Sequence, residues 1–244
     1  QRTNKPGKLT IATGQPAYEP WVMNDKPESG EGYEAAVAYA VADKLGFKKS
    51  DVVWTRTAFD TAIAPGAKDW DFNIQQFGIT DERKKAVDFS SSYYNDSQSV
   101  VVKKDSKFAN ATKVSDLKDA TVGVMVGTLA YDYAKANIKD DIQTFNDDAA
   151  LAQALDAGQI DALVTSTVEC VYMVQSEQVK DAKVLGRLPD SEDKSGMGIV
   201  LPKDSKLTAA VTKAVDDLNA DGTIKKLQDK WLAEYTTDLT ELKK

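Results

Sequence analysis

Short apolar runs alternate with segments of helical spacing along the whole chain, and this alternation constrains the fold more than any other feature. "KLTIAT", "DVVWTRT" and "WDFNIQQ" read as strands, with "GYEAAVAYAVADKLGF", an Ala-rich helix closed by Gly46, between the first two. "QSVVVKK" is a β-branched run, and "TVGVMVG" a strand that ends in glycine before the helical "TLAYDYAKAN". "DDAALAQALDAG" has an acidic start and a glycine stop; "IDALVTS" is a strand with a helix expected from Ser166, and "SGMGIVL" is the last strand candidate. Two helical patterns, "SKLTAAVTKAVDDLNADG" and "TIKKLQDKWLAEY", follow. The order predicts an α/β protein with mostly parallel sheets. With 244 residues, 42% of them hydrophobic, the chain can bury one large core or two smaller ones. No Pro/Gly/Ser-rich linker divides it, so two domains would be joined by strands or short crossings, for which "DSQSVVVKK" and "DKSGMGIVL" are the candidates.

Composition removes several function classes. A formal net charge of −7 with no basic tract is a poor match to nucleic acid or to an anionic membrane surface. The chain has no His, which excludes Ser-His and Cys-His catalysis and His-based metal sites. A single cysteine, Cys170, makes neither an internal disulfide nor a zinc cluster, and reads as a small buried hydrophobe. No apolar run is long enough to span a bilayer. The opening "QRTNKPGK" is polar and basic, and reads as the start of a mature or trimmed chain. No cofactor and no metal site is expected.

Ligands of open α/β sheets bind at the carboxyl ends of strands. Residues 13–21, 75–83, 127–129 and 164–169 fall at such ends. Arg83, in "TDERKK", is the most informative residue among them. Read from the residues alone it is either a solvated charge on a short helix or an anion-holding group, and Lys84 and Lys85 keep the solvated reading.

From "GITDERKKAVDFS" the chain resembles the extracellular solute-binding proteins of polar amino-acid ABC transporters, family 3, with the type II periplasmic-binding fold. "AYEPW", "GYEAAVAYAVADKLGF", "VSDLKDATVGVMVGT", "DAGQIDALVTS" and "LNADGTIKKLQDKWL" agree in order, so the resemblance covers nearly the whole chain. It implies two Rossmann-like α/β lobes joined by two crossing strands. Residues 1–97 with 199–244 would form lobe 1 and residues 98–198 lobe 2, with the ligand in the interlobe cleft and the lobes closing by hinge motion. The implied partners are an amino acid or related carboxylate and a membrane permease. The implied protein is a monomer outside the cytoplasm, periplasmic or lipid-anchored on a Gram-positive cell.

The resemblance also assigns residues. Arg83 would fork onto the ligand carboxylate, a task suited to a planar guanidinium. Thr80 would cap the short helix and donate its hydroxyl, and Gly78 stands where many relatives carry Ser or Thr. Gln75 and Gln76 replace small residues and would narrow the pocket or bond the ligand. Phe59 and Tyr18 would form its aromatic walls, with core packing as the alternative for each; Trp21 stands open between site and core. Gly127 and Thr128 would meet the carboxylate from the second lobe. Ser166 stands where relatives usually carry the aspartate that pairs with a ligand ammonium, and Gly14-Gln15 stands where they often carry another acid. Glu19, Asp60 or Glu169 would have to replace these, or the ligand lacks an ammonium there. Asp161 reads as a structural residue of its turn. Two alternatives remain: an enzyme on the same scaffold, resembling cyclohexadienyl dehydratases with Glu169 as general acid, and a ligand-binding module of a receptor.

Overall fold

A computed structural model describes residues 3–244; Gln1 and Arg2, the first residues of the polar opening, lie outside the described residues. The chain divides into two compact units, Gln1–Asn95 with Lys194–Ala233, and Asp96–Asp193 with Glu234–Lys244.

The first unit is built on a five-stranded sheet. Strand β1 (Leu9–Gly14) is buried along its whole length because parallel neighbours flank it on both sides. These are β2 (Val52–Thr57) and the two-residue β3 (Phe72–Asn73). The other two strands are β10 (Met197–Pro202), antiparallel to β3, and β4 (Val87–Tyr94), antiparallel to β10. The order is β2-β1-β3-β10-β4. Helix α1 (Tyr33–Lys44) enters through Gly32 at φ 104°, where a Cβ would lie 2.5 Å from the Trp21 carbonyl oxygen. That closeness lets the Pro20 and Trp21 carbonyls accept from the first free amides of the helix, those of Tyr33 and Glu34. Helices α7 (Thr208–Ala220) and α8 (Thr223–Trp231) complete the unit.

The second unit carries a sheet of order β7-β6-β8-β5-β9. Its strands are β5 (Gln98–Lys103), β6 (Val122–Met125), β7 (Gln143–Phe145), β8 (Ala162–Ser166) and β9 (Ala182–Arg187). Helices α4 (Leu129–Asn137), α5 (Asp148–Asp156) and α6 (Thr167–Gln175) connect them. Alternation of side chains divides the core between the two faces. Val100, Val102, Ala162 and Val164 join one cluster, while Val101 and Leu163 join the other. Each such buried valine or leucine contributes roughly 1.5–3 kcal/mol.

The expectation of mostly parallel sheets is corrected: each sheet has two parallel and two antiparallel pairings. The antiparallel half follows from connectivity. β10 returns from the second unit and slots between β3 and β4, and β5 runs against both β8 and β9. Glu234–Lys244, assigned to the first lobe from the sequence, belongs to the second unit. The Arg187 amide donates to the Thr240 carbonyl, the Leu242 amide to the Arg187 carbonyl, and the Val114 amide to the Lys243 carbonyl. Gly186 admits this tail, since a Cβ there would stand 2.7 Å from the Thr240 oxygen. Among the described residues, no helix is long and apolar enough to cross a membrane.

Candidate functional site

The register of the parallel strands aligns several polar side chains at the carboxyl end of the first sheet. Gly14 lies opposite Thr57, and Asn73 opposite Ala12. The Asn73 amide Nδ2 donates to Thr57 Oγ1 at 2.9 Å, and that hydroxyl donates to Gln75 Oε1 at 3.3 Å. Arg56 secures the turn beyond β1: its Nη1 reaches the Gly14 carbonyl at 2.9 Å and Asp25 Oδ1 at 2.6 Å. Asp25 also accepts from the Ala17 amide, and that bond, with Arg56 beside it, holds the Asp25 carboxyl below its usual range.

Arg83 stands on α3 (Asp81–Lys84), whose first turn is capped by Thr80 Oγ1 accepting from the Arg83 amide at 3.1 Å. Its guanidinium folds back. Nη1 donates to the Gly78 carbonyl at 2.7 Å, and the carbon centre lies 5.4 Å from the Phe59 ring centroid. Phe59, in the short helix α2 (Phe59–Ala62), packs on Phe77 with centroids 4.8 Å apart, so one face of the ring is spent on the core and the other on the cation. A Cβ at Gly78 would touch Nη1 at 3.4 Å. No carboxylate among the described residues lies within 4.0 Å of the Arg83 nitrogens. Partial burial pulls its pKa down, and Asp60 pushes it back up. The arrangement is a desolvated, pre-oriented cation without a paired anion.

Gln76 sits in the left-handed region at φ 55°. Its amide donates at 2.8 Å to Glu34 Oε2, and the Tyr93 hydroxyl donates to the same oxygen. Burial raises Glu34 to about 7, against the lowering effect of these two bonds. Tyr18 is exposed (58%), whereas Trp21 is buried against Tyr33 and Tyr94 in edge-to-face contacts, so of the two only Tyr18 is open to solvent.

In the second unit, Gly127 takes φ 72° with open space around its absent Cβ, and Thr128 caps α4. The Thr128 hydroxyl accepts from the Tyr131 amide at 3.2 Å and donates to the Met125 carbonyl at 2.7 Å. Val126 and Leu129 on either side are exposed (52% and 46%). Ser166 stands at the N-terminus of α6 without a side-chain cap bond. One turn on, Glu169 is pushed up to about 7 by burial first, then by the charges of Asp148 and Asp96. Asp148 itself is raised by burial and touches Thr165 Oγ1 at 3.5 Å. Asp161 accepts from the Thr121 amide at 2.9 Å, the structural role expected of it. Cys170 is fully buried.

Phe59, Gly78, Thr80 and Arg83 therefore meet in one cluster, and Gln75 joins a neighbouring relay. Gln76 is engaged through its backbone with Glu34. Sequence reasoning missed Thr57, Asn73, Glu34 and Asp148. For Thr57 and Asn73 the available signal was their place at strand ends. Among the described residues no group of three His, Cys, Asp or Glu side chains is disposed to hold a metal.

The chain is similar to known proteins along nearly its whole length. The L-arginine-binding protein of Pseudomonas aeruginosa is 29% identical over 94% of this chain and 89% of its own length. The L-cystine-binding protein TcyJ of Escherichia coli is 30% identical over 90% of this chain and 81% of its own. An ancestral arginine-binding protein, solved bound to arginine, superposes with a TM-score of 0.68 at 31% identity, covering 93% of this chain and 98% of that one. These relatives are named for binding rather than turnover, which weighs against the dehydratase alternative. The description of bacterial extracellular solute-binding proteins, family 3, matches residues 9–234, and the chain belongs to that family.

Proposed function

We propose that this protein is the capture component of an ABC importer and that its solute is an amino acid or a close derivative, held by its carboxylate on Arg83. The observation that carries the reading is the Arg83 guanidinium, fixed by the Gly78 carbonyl and the Phe59 ring while no carboxylate pairs with it. Nη1 is committed to Gly78, so Nη2 and Nε are the edge that takes the anion. The Thr80 hydroxyl adds a donor beside it. Tyr18 offers an open aromatic face. Gly127, Thr128 and Ser166 of the second unit enter through the family resemblance, as does hinge closure on the solute. A membrane permease as partner, a monomeric state and a place outside the cytoplasm, periplasmic or lipid-anchored, belong to the same proposal; the description of the family as extracellular solute-binding proteins supports the place.

The test is calorimetric titration of the unmutated chain and Arg83→Ala with a panel of amino acids, their deaminated acids and their decarboxylated amines. Loss of a desolvated, charge-assisted pair weakens binding by about 2–4 kcal/mol, or roughly 30- to 1,000-fold. Unchanged affinity in Arg83→Ala refutes the assignment. Equal binding of the decarboxylated amines refutes carboxylate recognition altogether.

A further inference from the structure

The Asn73–Thr57–Gln75 relay has a direction, and the direction leaves a donor at its end. Thr57 has a single hydroxyl proton. Its oxygen accepts from Asn73 Nδ2 at 2.9 Å, so the proton goes to Gln75 Oε1. With Asn73 donating, the Gln75 carboxamide turns its oxygen toward Thr57 and its NH2 group to the far side. The far side is the end of β1: a Cβ built on Gly14 would stand only 2.7 Å from Gln75 Nε2 and 3.0 Å from its carbonyl carbon. The space that any other residue at position 14 would fill is occupied by this amide. Gln75 Nε2 has no hydrogen-bond acceptor among the described residues. The turn beneath it cannot drift, because Arg56 bonds the Gly14 carbonyl and Asp25 together. A half-buried amide, aimed and braced by neighbours and short of an acceptor, is built to receive one.

We infer that Gln75 is a specificity-determining residue whose Nε2 donates to a carbonyl or carboxylate oxygen at the distal end of the solute, so that the site selects acceptor-ended amino acids over cation-ended ones. A cationic group placed there would face N–H dipoles of the wrong sign, in a setting where nothing on Gly14 can offset it. The inference rests on the proposed amino-acid site and adds the chemistry of the side chain. Gly14 contributes by its missing side chain, which no charge-based reading of the sequence would register.

The test uses L-glutamine, L-arginine and L-alanine as probes, titrated calorimetrically into the full chain and into Gln75→Glu, Gly14→Ala and Arg83→Ala. The unmutated chain should bind L-glutamine about tenfold or more tightly than L-arginine. Gln75→Glu keeps the shape but replaces the donor with an anion, and should reverse that ratio, with L-alanine reporting any general loss of binding. Gly14→Ala puts a Cβ 2.7 Å from Gln75 Nε2 and 3.1 Å from the Pro16 carbonyl oxygen, so the amide must move; it should lose most of the L-glutamine preference, and the unfolding midpoint checks that the fold is kept. A ratio unmoved by Gln75→Glu overturns the inference, as does a preference of the unmutated chain for L-arginine. If L-arginine is preferred and Arg83→Ala abolishes its binding, only the inference about Gln75 falls. If none of the three amino acids binds the unmutated chain, the amino-acid reading falls with it.

Discussion

Replacing Glu34 by Gln should remove a pH dependence of stability rather than stability itself. Glu34 is buried on α1 and its Oε2 accepts from the Gln76 amide and the Tyr93 hydroxyl. A glutamine oxygen can accept both. The carboxyl is raised from an ordinary value of 4.5 to about 7, so the folded state holds the proton more tightly than the unfolded chain. The stabilisation is full below about pH 4.5 and is lost as pH rises through the folded value. A shift of this size corresponds to roughly 3 kcal/mol, most of which is lost between pH 5 and pH 8. All four tryptophans (Trp21, Trp54, Trp70 and Trp231) lie in the first unit with Glu34, so fluorescence during urea unfolding reports on the relevant half. Unfolding free energies would be measured at pH 5, 6, 7 and 8 for both proteins. The expected result is a profile for Glu34→Gln that falls less steeply by roughly 2–3 kcal/mol over that range. An unpaired amide N–H in the variant lowers its intercept, not its slope. Parallel profiles would refute the reasoning. Asp96 and Glu169, also raised to about 7, act on both proteins alike and cancel in the difference.

Two further outcomes test the packing. Gly32→Ala places a Cβ at 2.5 Å from the Trp21 carbonyl oxygen in a left-handed conformation, and should cost roughly 2–3 kcal/mol or more in urea unfolding. Cys170 is fully buried with its thiol pushed well above its ordinary pKa; a chromogenic disulfide reagent should find no thiol in the native protein and one in urea.

Much of the fold is legible in the sequence because its signals are local. β1, β5, β6 and β8 are apolar or β-branched runs, α1 and α7 carry helical spacing with glycine stops, and α8 carries helical spacing. β4 escaped notice because three serines interrupt its apolar residues, yet Val87 and Tyr94 at its ends are buried. β9 was hidden by Lys183, Gly186 and Arg187; Lys183 bonds the Ala109 carbonyl, and the last two meet a tail more than fifty residues away in sequence. The antiparallel half of each sheet depends on where a returning strand slots in, which no local pattern records. Thr80 and Thr128 are legible as helix caps, since a hydroxyl before a helical run satisfies a free amide. Arg83 stands out only through the resemblance of its motif, for the sequence "TDERKK" does not say that the guanidinium turns back onto Gly78 and Phe59. The relay through Thr57 is invisible in the sequence, because it exists only once Gly14 and Thr57 lie side by side in the β1–β2 register.

The position of β10 has a consequence for the order in which the molecule can be completed. A chain released amino end first has residues 98–187, all five strands of the second sheet, before β10 exists. The first sheet meanwhile lacks the strand that joins β3 to β4 and leaves two open edges, with Val87 and Phe89 not yet packed on Val200. The sheet that begins first is thus the sheet that is completed later, while the second unit still awaits its carboxyl-terminal tail. The interval is set by the length of the insertion, and during it the unpaired edges of β3 and β4 are where a newly made chain is most exposed to association with its neighbours.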